Sequence, residues 1–453
     1  MHSLPVVPAR GPFHVMTKPI GPVCNLACAY CFYLEKEALY AGTGKWRMPD
    51  DVLETYIRQY IQSQPQREVS FAWQGGEPTL MGVDFFRRVV ELQRTYGQGR
   101  TITNALQTNG TLLDDEWATF LKQHEFLVGV SIDGPAHLHD RYRVGKRGEP
   151  TFDRVMNGIE TLKRHDVAFN TLTVLNRVNS QRPGEVYAFL KQIGSGFLQF
   201  IPLVERKPAA EGPLKVLPLD LAEPPDATNA FGQDQYGAHV TDWSVRPDDF
   251  GRFYCEVFDA WVRQDVGRVF VQFFDVMLGQ WMTRLGAGTG ASLCVFAPTC
   301  GSAMAVEHNG DVYSCDHYVY PQYKLGNLSQ TPLGELVNSP QQQAFGQAKS
   351  DSLPGYCRDC AFMFACHGEC PKHRFLTSPA GEPGLNYLCR GYKRILAHMD
   401  ADLQTMAQLV CAGLPAAHVM RIKAAEPGRG VKPARRPKGK AAARKPARRQ
   451  RNA

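Results

Sequence analysis

Cysteine placement constrains this chain more than any other feature. Of its thirteen cysteines, three fall inside eight residues, Cys24, Cys28 and Cys31 in the stretch CNLACAYCFY. Eight more fall at 294, 300, 315, 357, 360, 366, 370 and 389. Only Cys255 and Cys411 stand apart, as ordinary buried or surface thiols do. A disulfide framework wants an even count and an oxidising compartment. A zinc site wants a fourth ligand beside the first three. Three thiolates in a C-x3-C-x2-C run leave a position open instead. They can hold three irons of a 4Fe–4S cube, with the fourth iron free to bind a substrate or cofactor.

The first half of the chain alternates two kinds of segment. Strand candidates at 13–18, 69–73, 101–108, 126–133, 167–175 and 197–201 are rich in Val, Ile, Phe and Thr. Helical stretches at 51–63, 84–96, 114–124, 152–165 and 184–193 lie between them, two of them opening on Asp50-Asp51 and Asp114-Asp115. Such alternation predicts a parallel α/β sheet with right-handed crossovers. Six units predict an incomplete (β/α)6 barrel with its site at the C-terminal strand ends, where Cys24 follows the first strand. Residues 205–246, rich in Pro, Gly, Asp and Ala, read as an insertion. A helix from Pro247 then leads into the cysteine-rich region. The expected plan is a lead over 1–12, the barrel over 13–246, a cysteine-rich domain over 247–410 and a tail over 411–453.

The formal net charge of +7 belongs to that tail. From Ala424 onward there are eleven Lys or Arg and one Glu, so the last thirty residues carry +10 and the other 423 sum to −3. The tail has too little apolar surface to offset its ordering entropy and is expected to be disordered. It could touch nucleic acid, but only non-specifically through charge. The opening MHSLPVVPAR lacks the pattern of a signal peptide. No apolar run approaches the ~18 residues of a membrane helix. The expectation is a cytoplasmic enzyme with no membrane partner.

Further stretches narrow the chemistry. In QGGEPTL, Gly75 and Gly76 permit a close backbone approach and Glu77 can accept from an ammonium, although such a turn alone is common. Asn309-Gly310 signals a type I′ hairpin, which would put Cys315 and Asp316 on its second strand. The later cysteines run C-x5-C-x14-C, then C-x2-C-x5-C-x3-C-x18-C, enough for two four-cysteine sites of iron or zinc.

The C-x3-C-x2-C motif after a strand, with aromatic Tyr30 before its third cysteine, resembles the radical S-adenosylmethionine superfamily. The later array resembles the SPASM extension of its peptide-modifying members. CNLACAYCFYLEK, FAWQGGEPTL, LQTNGTLL, SIDGPAHLHDRYR, NGDVYSCDHYVYP and CRDCAFMFACHGECPKHR resemble the anaerobic sulfatase-maturating enzymes, over about residues 13–400. The resemblance implies S-adenosyl-L-methionine and three 4Fe–4S clusters as cofactors. Cys24, Cys28 and Cys31 would bind the first cluster. Cys294, Cys300, Cys315 and Cys370 would bind auxiliary cluster I, and Cys357, Cys360, Cys366 and Cys389 auxiliary cluster II. Tyr30, Gly75, Gly76, Glu77, Ser131, Arg143 and Val204 would contact S-adenosyl-L-methionine. Asp316, by default a solvated residue, becomes the proton acceptor. The implied reaction turns a Cys or Ser of a sulfatase polypeptide into Cα-formylglycine, with a flavodoxin or ferredoxin as electron donor. The alternatives are a thioether-forming or other crosslinking enzyme acting on a ribosomal peptide, and a non-enzymatic electron carrier or zinc adaptor.

Overall fold

A computed structural model describes residues 5–33, 36, 37, 39, 46–206, 240–288 and 293–425. Most of the expected insertion, and the tail beyond residue 425, lie outside these.

Six parallel strands form the body: β1 His14–Lys18, β2 Glu68–Trp73, β3 Thr101–Thr108, β4 Leu127–Ser131, β5 Phe169–Leu175 and β6 Phe197–Pro202. Helices α1 Asp50–Ser63, α2 Val83–Tyr96, α3 Asp115–Gln123, α4 Phe152–Arg164 and α5 Pro183–Gln192 connect them. Each expected strand and helix is present within two residues of its predicted limits. Sequence chemistry sets several of those limits. Asp114 caps α3 by accepting from the Trp117 N–H at 2.9 Å. Pro183 opens α5, where its missing N–H costs nothing. Helix and strand meet over an aromatic core in which Phe71 and Trp73 stack and Tyr56 meets both edge-on.

The sheet does not stop at six strands. Its order runs β10-β9-β8-β1-β2-β3-β4-β5-β6-β7, where β7 is Phe270–Val271, β8 Ala303–Glu307, β9 Asp311–Tyr313 and β10 Lys324–Asn327. β8 pairs in parallel with β1 from His14↔Ala303 to Lys18↔Glu307. The cysteine-rich region is therefore stitched to the barrel's first strand and to the loop that follows it.

The β8–β9 hairpin corrects one expectation. Gly310 has positive φ, 84°, but Asn309 does not, and the Gly310 N–H donates to the Glu307 carbonyl at 2.9 Å. This is a type I turn followed by a left-handed glycine rather than a type I′ turn. β9 ends at Tyr313, so Cys315 and Asp316 fall beyond it, with Asp316 opening a short helical turn to Tyr318.

Helices α6 Pro247–Gln264 and α7 Gln272–Arg284 carry the chain onward, and α8 Pro340–Asp351 precedes the last cysteines. The long α9, Cys389–Cys411, packs against α6 closely enough that a Cβ at Gly391 would lie 2.5 Å from the Pro247 carbonyl oxygen. The chain stays ordered past 411. A final helix α10, Val419–Ala425, is tied down by the Lys423–Asp402 ion pair at 2.8 Å. Among the described residues no helix is long and apolar enough to cross a membrane.

Candidate active site

β1 ends at Lys18, and an irregular loop then carries Cys24, Cys28 and Cys31. Backbone contacts fix its shape. Ala27 and Ala29 donate to the carbonyls of Val144 and Tyr142 at 2.9 Å each, and Cys31 donates to Cys28 at 3.0 Å. From the end of β2, Glu77 N–H donates to the Val23 carbonyl at 2.9 Å. A Cβ at Gly76 would lie 2.0 Å from that carbonyl oxygen, and one at Gly75 would lie 2.4 Å from Lys18 Cδ. The two glycines thus permit a close approach between protein segments, at φ values of 42° and 92°.

The three thiols are half-buried, and Cys28 and Cys31 each add to the rise of Cys24 by their charge. Burial pushes Cys24 up to about 12 and Cys28 to about 11. Such thiols ionise only against a local cation, which a set of bound irons supplies. The Leu26 N–H points at Cys24 Sγ at 3.3 Å and Asn109 Nδ2 at 3.7 Å, contacts that suit a thiolate ligand.

Glu77 is fully buried. Its Oε1 accepts from the Thr79 N–H at 3.0 Å and from the Thr79 and Thr108 hydroxyls at 2.7 Å, and its Oε2 from the Asn109 N–H at 2.7 Å. The carboxylate therefore ties the end of β2 to the end of β3. Burial still lifts its pKa above the ordinary value. Ser131 closes β4, and Val204 lies buried just past β6.

Asp133, two residues past Ser131, is a hub with no exposure. It accepts from the Tyr30 hydroxyl, pairs with Arg143 Nε at 3.1 Å and takes the Val174 N–H at 3.0 Å. Tyr30 and Arg143 are thereby locked together, with the Arg143 guanidinium over the Tyr30 ring at 5.5 Å. Burial opposes the charge of Arg143, but Asp133 outweighs it and keeps the guanidinium protonated.

The later cysteines form two groups. Cys357, Cys360, Cys366 and Cys389 line one pocket with Phe362 and Tyr392. Cys370 is not in that pocket. Its Sγ lies 3.6 Å from His317 Nδ1, two residues past Cys315, and its thiol is raised by burial first, then by Glu369 and by Cys294 and Cys300. Every cysteine is a free thiol, so each group could supply four ligands.

Asp316 lies where the first loop and this second group meet. It directly follows Cys315 and is ion-paired with the Lys18 ammonium, itself 4.5 Å from the centre of the Tyr33 ring. Neighbouring His317 meets the Phe32 ring edge-on at 5.9 Å, and its Nδ1 is 3.6 Å from Cys370 Sγ. Burial alone would raise the Asp316 carboxyl. Lys18, His317 and Lys372 outweigh it and hold the carboxyl below its ordinary value.

Sequence reasoning passes over Lys18, Asp133 and Asn109. A signal was present for two of them. Asp133 stands inside SIDGP, and Lys18 is a charged residue ending a strand that β2 and β8 bury from both sides. Asn109 acts on Cys24 across 85 positions of sequence, which no local pattern reveals.

A barrel that gathers three thiols and their supports at its strand ends, joined to eight further thiols, defines a radical SAM enzyme with an iron–sulfur extension. The model of the Radical SAM superfamily matches residues 19–190, and that of SPASM, an iron–sulfur cluster-binding domain, matches residues 294–361. The serine-type anaerobic sulfatase-maturating enzyme of Bacteroides thetaiotaomicron is 44% identical over 93% of this chain and 97% of its own. The cysteine-type enzyme of Clostridium perfringens is 32% identical over 87% of this chain and 98% of its own. The solved structure of native anSMEcpe with bound AdoMet superposes with a TM-score of 0.73 at 31% identity, over 88% of this chain and 100% of that one. The chain belongs to the anaerobic sulfatase-maturating enzymes.

Proposed function

We propose that this protein oxidises one Ser or Cys side chain in the active-site motif of a sulfatase polypeptide to Cα-formylglycine. The observation that carries the reading is the position of Asp316. It touches Lys18 at the end of β1, neighbours the loop of the first three cysteines and follows Cys315 of the second group. A substrate side chain presented there stands between the two.

In this reading Cys24, Cys28 and Cys31 hold the first 4Fe–4S cluster. Tyr30, Gly75, Gly76, Glu77, Ser131, Arg143 and Val204 surround S-adenosyl-L-methionine. Cys294, Cys300, Cys315 and Cys370 hold auxiliary cluster I, and Cys357, Cys360, Cys366 and Cys389 hold auxiliary cluster II. Bound together, these cofactors supply the radical chemistry that removes a hydrogen from the substrate Cβ, and an acceptor for the second electron. The chain's own residues do the rest. Asp316 accepts the proton of the substrate hydroxyl or thiol, and its low pKa keeps it ionised for that task. Lys18 holds the carboxylate in place. Asp133 fixes Tyr30 and Arg143 beside the first cluster, and Glu77 fixes the strand ends beneath it.

Residues 13–246 supply the radical-generating barrel and 247–410 the auxiliary-cluster domain. Electrons come from a small carrier such as flavodoxin or ferredoxin. A reducing cytoplasm suits the free thiols. The higher identity to a serine-type relative makes a seryl substrate the first to try. Anaerobic incubation with S-adenosyl-L-methionine, a reductant and sulfatase-motif peptides, read by mass spectrometry, tests the proposal. A seryl peptide should lose two hydrogens and gain an aldehyde. A crosslinked or unchanged peptide, with S-adenosyl-L-methionine still cleaved, would overturn it.

A further inference from the structure

Lys349 and Arg374 are buried cations that this chemistry leaves unused. Lys349, in α8, has no exposure and Arg374 is 4% exposed. The Lys349 ammonium donates to the carbonyls of Cys294 and Val295 at 2.8 Å each. Arg374 donates from Nε to Gly368 at 2.9 Å, from Nη1 to Lys349 at 2.6 Å, and from Nη2 to His367 at 2.7 Å and Glu369 at 3.0 Å. Every acceptor is a main-chain carbonyl. Glu369, the acid whose charge reaches both, is engaged by His373 at 2.9 Å and Asn386 at 2.7 Å. Among the described residues neither cation forms an ion pair with a carboxylate.

Carbonyl dipoles solvate a cation but do not neutralise it, and a buried uncompensated charge is strongly disfavoured. The missing anions are suggested by what surrounds the pair. Lys349 is bonded to the main chain at Cys294 and its neighbour Val295, within the group Cys294, Cys300, Cys315 and Cys370. Arg374 binds the carbonyls of His367, Gly368 and Glu369, the three residues between Cys366 of one group and Cys370 of the other. A cube held by four thiolates carries net negative charge, and reduction adds one more. A fixed neighbouring cation therefore favours the reduced form and raises the potential.

Resting on the reading of both groups as cluster sites, we infer that Lys349 and Arg374 are the built-in counter-charges of the auxiliary clusters. Lys349 raises the potential of auxiliary cluster I selectively, while Arg374 acts on both. They are positioning residues, because neither touches the reacting atoms.

The test is a potentiometric titration of the anaerobic holoenzyme followed by EPR, with the two auxiliary signals assigned by loss in Cys300→Ser and Cys360→Ser. An iron content near about twelve per chain and both signals in the wild type establish the sites. Their absence would sink the cluster reading itself. In Lys349→Met or Lys349→Gln, which remove the charge, the reduction equilibrium of cluster I should fall at least tenfold, about 59 mV for one electron. Cluster II should stay within threefold. Cluster I within threefold of wild type in either variant overturns the inference. Should both variants lose cluster I, Lys349→Arg decides. Retention near the wild-type potential supports a charge role, and loss there too makes shape the requirement and overturns it.

Discussion

Asp316 combines two properties that a rigid base needs. It sits one residue from a candidate cluster ligand, and a lysine from the first strand holds its carboxylate. Asn matches its shape but cannot take a proton. Asp316→Asn is expected to keep its clusters and still make 5′-deoxyadenosine, while formylglycine falls by about 10²–10⁴ in rate. Quantifying both products in one anaerobic reaction checks this, and wild-type aldehyde yield removes the base assignment. Asp133 makes a different prediction, about stability. Asp133→Ala leaves Arg143 buried without its partner, which costs about 3–5 kcal/mol. Denaturant unfolding reads that loss, and a change below about 1 kcal/mol would show that Arg143 is compensated elsewhere. At this scale the cysteines were legible because spacing is a local property. The contact of Asn109 with Cys24 was not, because it depends on which strand ends the fold brings together.

Among the elements, the turn after β2 controls the first site. Gly76 presses on the Val23 carbonyl inside the cysteine loop, and neither backbone can give way cheaply. Gly76→Ala is expected to cost about 4 kcal/mol or more and to lose the first cluster. Gly82→Ala is the control. Its φ of 80° and ψ of 159° lie in a region that is nearly glycine-only, but nothing lies within 4 Å, so the cost is about 1–3 kcal/mol of backbone strain and the cluster stays. Iron content and thermal melting of the two variants separate contact from conformational strain, and equal losses would contradict the contact argument. The strands and helices of the barrel could be read from sequence because each is long and strongly patterned. The β8–β9 hairpin could be placed but not detailed. Its turn type depends on the φ of one asparagine, and its second strand has only three residues. The parallel pairing of β8 with β1 joins positions almost three hundred apart and leaves no local trace.

Among the described residues one ten-stranded sheet is shared by two cysteine-bearing regions, with Asp316 at their junction. The described fold continues to α10, where Arg263 Nη1 donates to the Lys423 carbonyl at 3.3 Å. Truncation after Ala425 should leave peptide turnover within a few-fold of the full chain. A collapse of turnover with intact clusters would make the basic tail part of the working enzyme. The alternation of strands and helices shows the barrel, but the shared sheet needs contacts between its two ends. The claim that the first site's radical acts at the side chain held beside Asp316 is open to one direct measurement. A sulfatase-motif peptide with a Cβ-dideuterated seryl residue is turned over anaerobically, and 5′-deoxyadenosine is analysed by mass spectrometry. One deuterium is expected in 5′-deoxyadenosine for each formylglycine formed. Formylglycine produced with deuterium-free 5′-deoxyadenosine would contradict it.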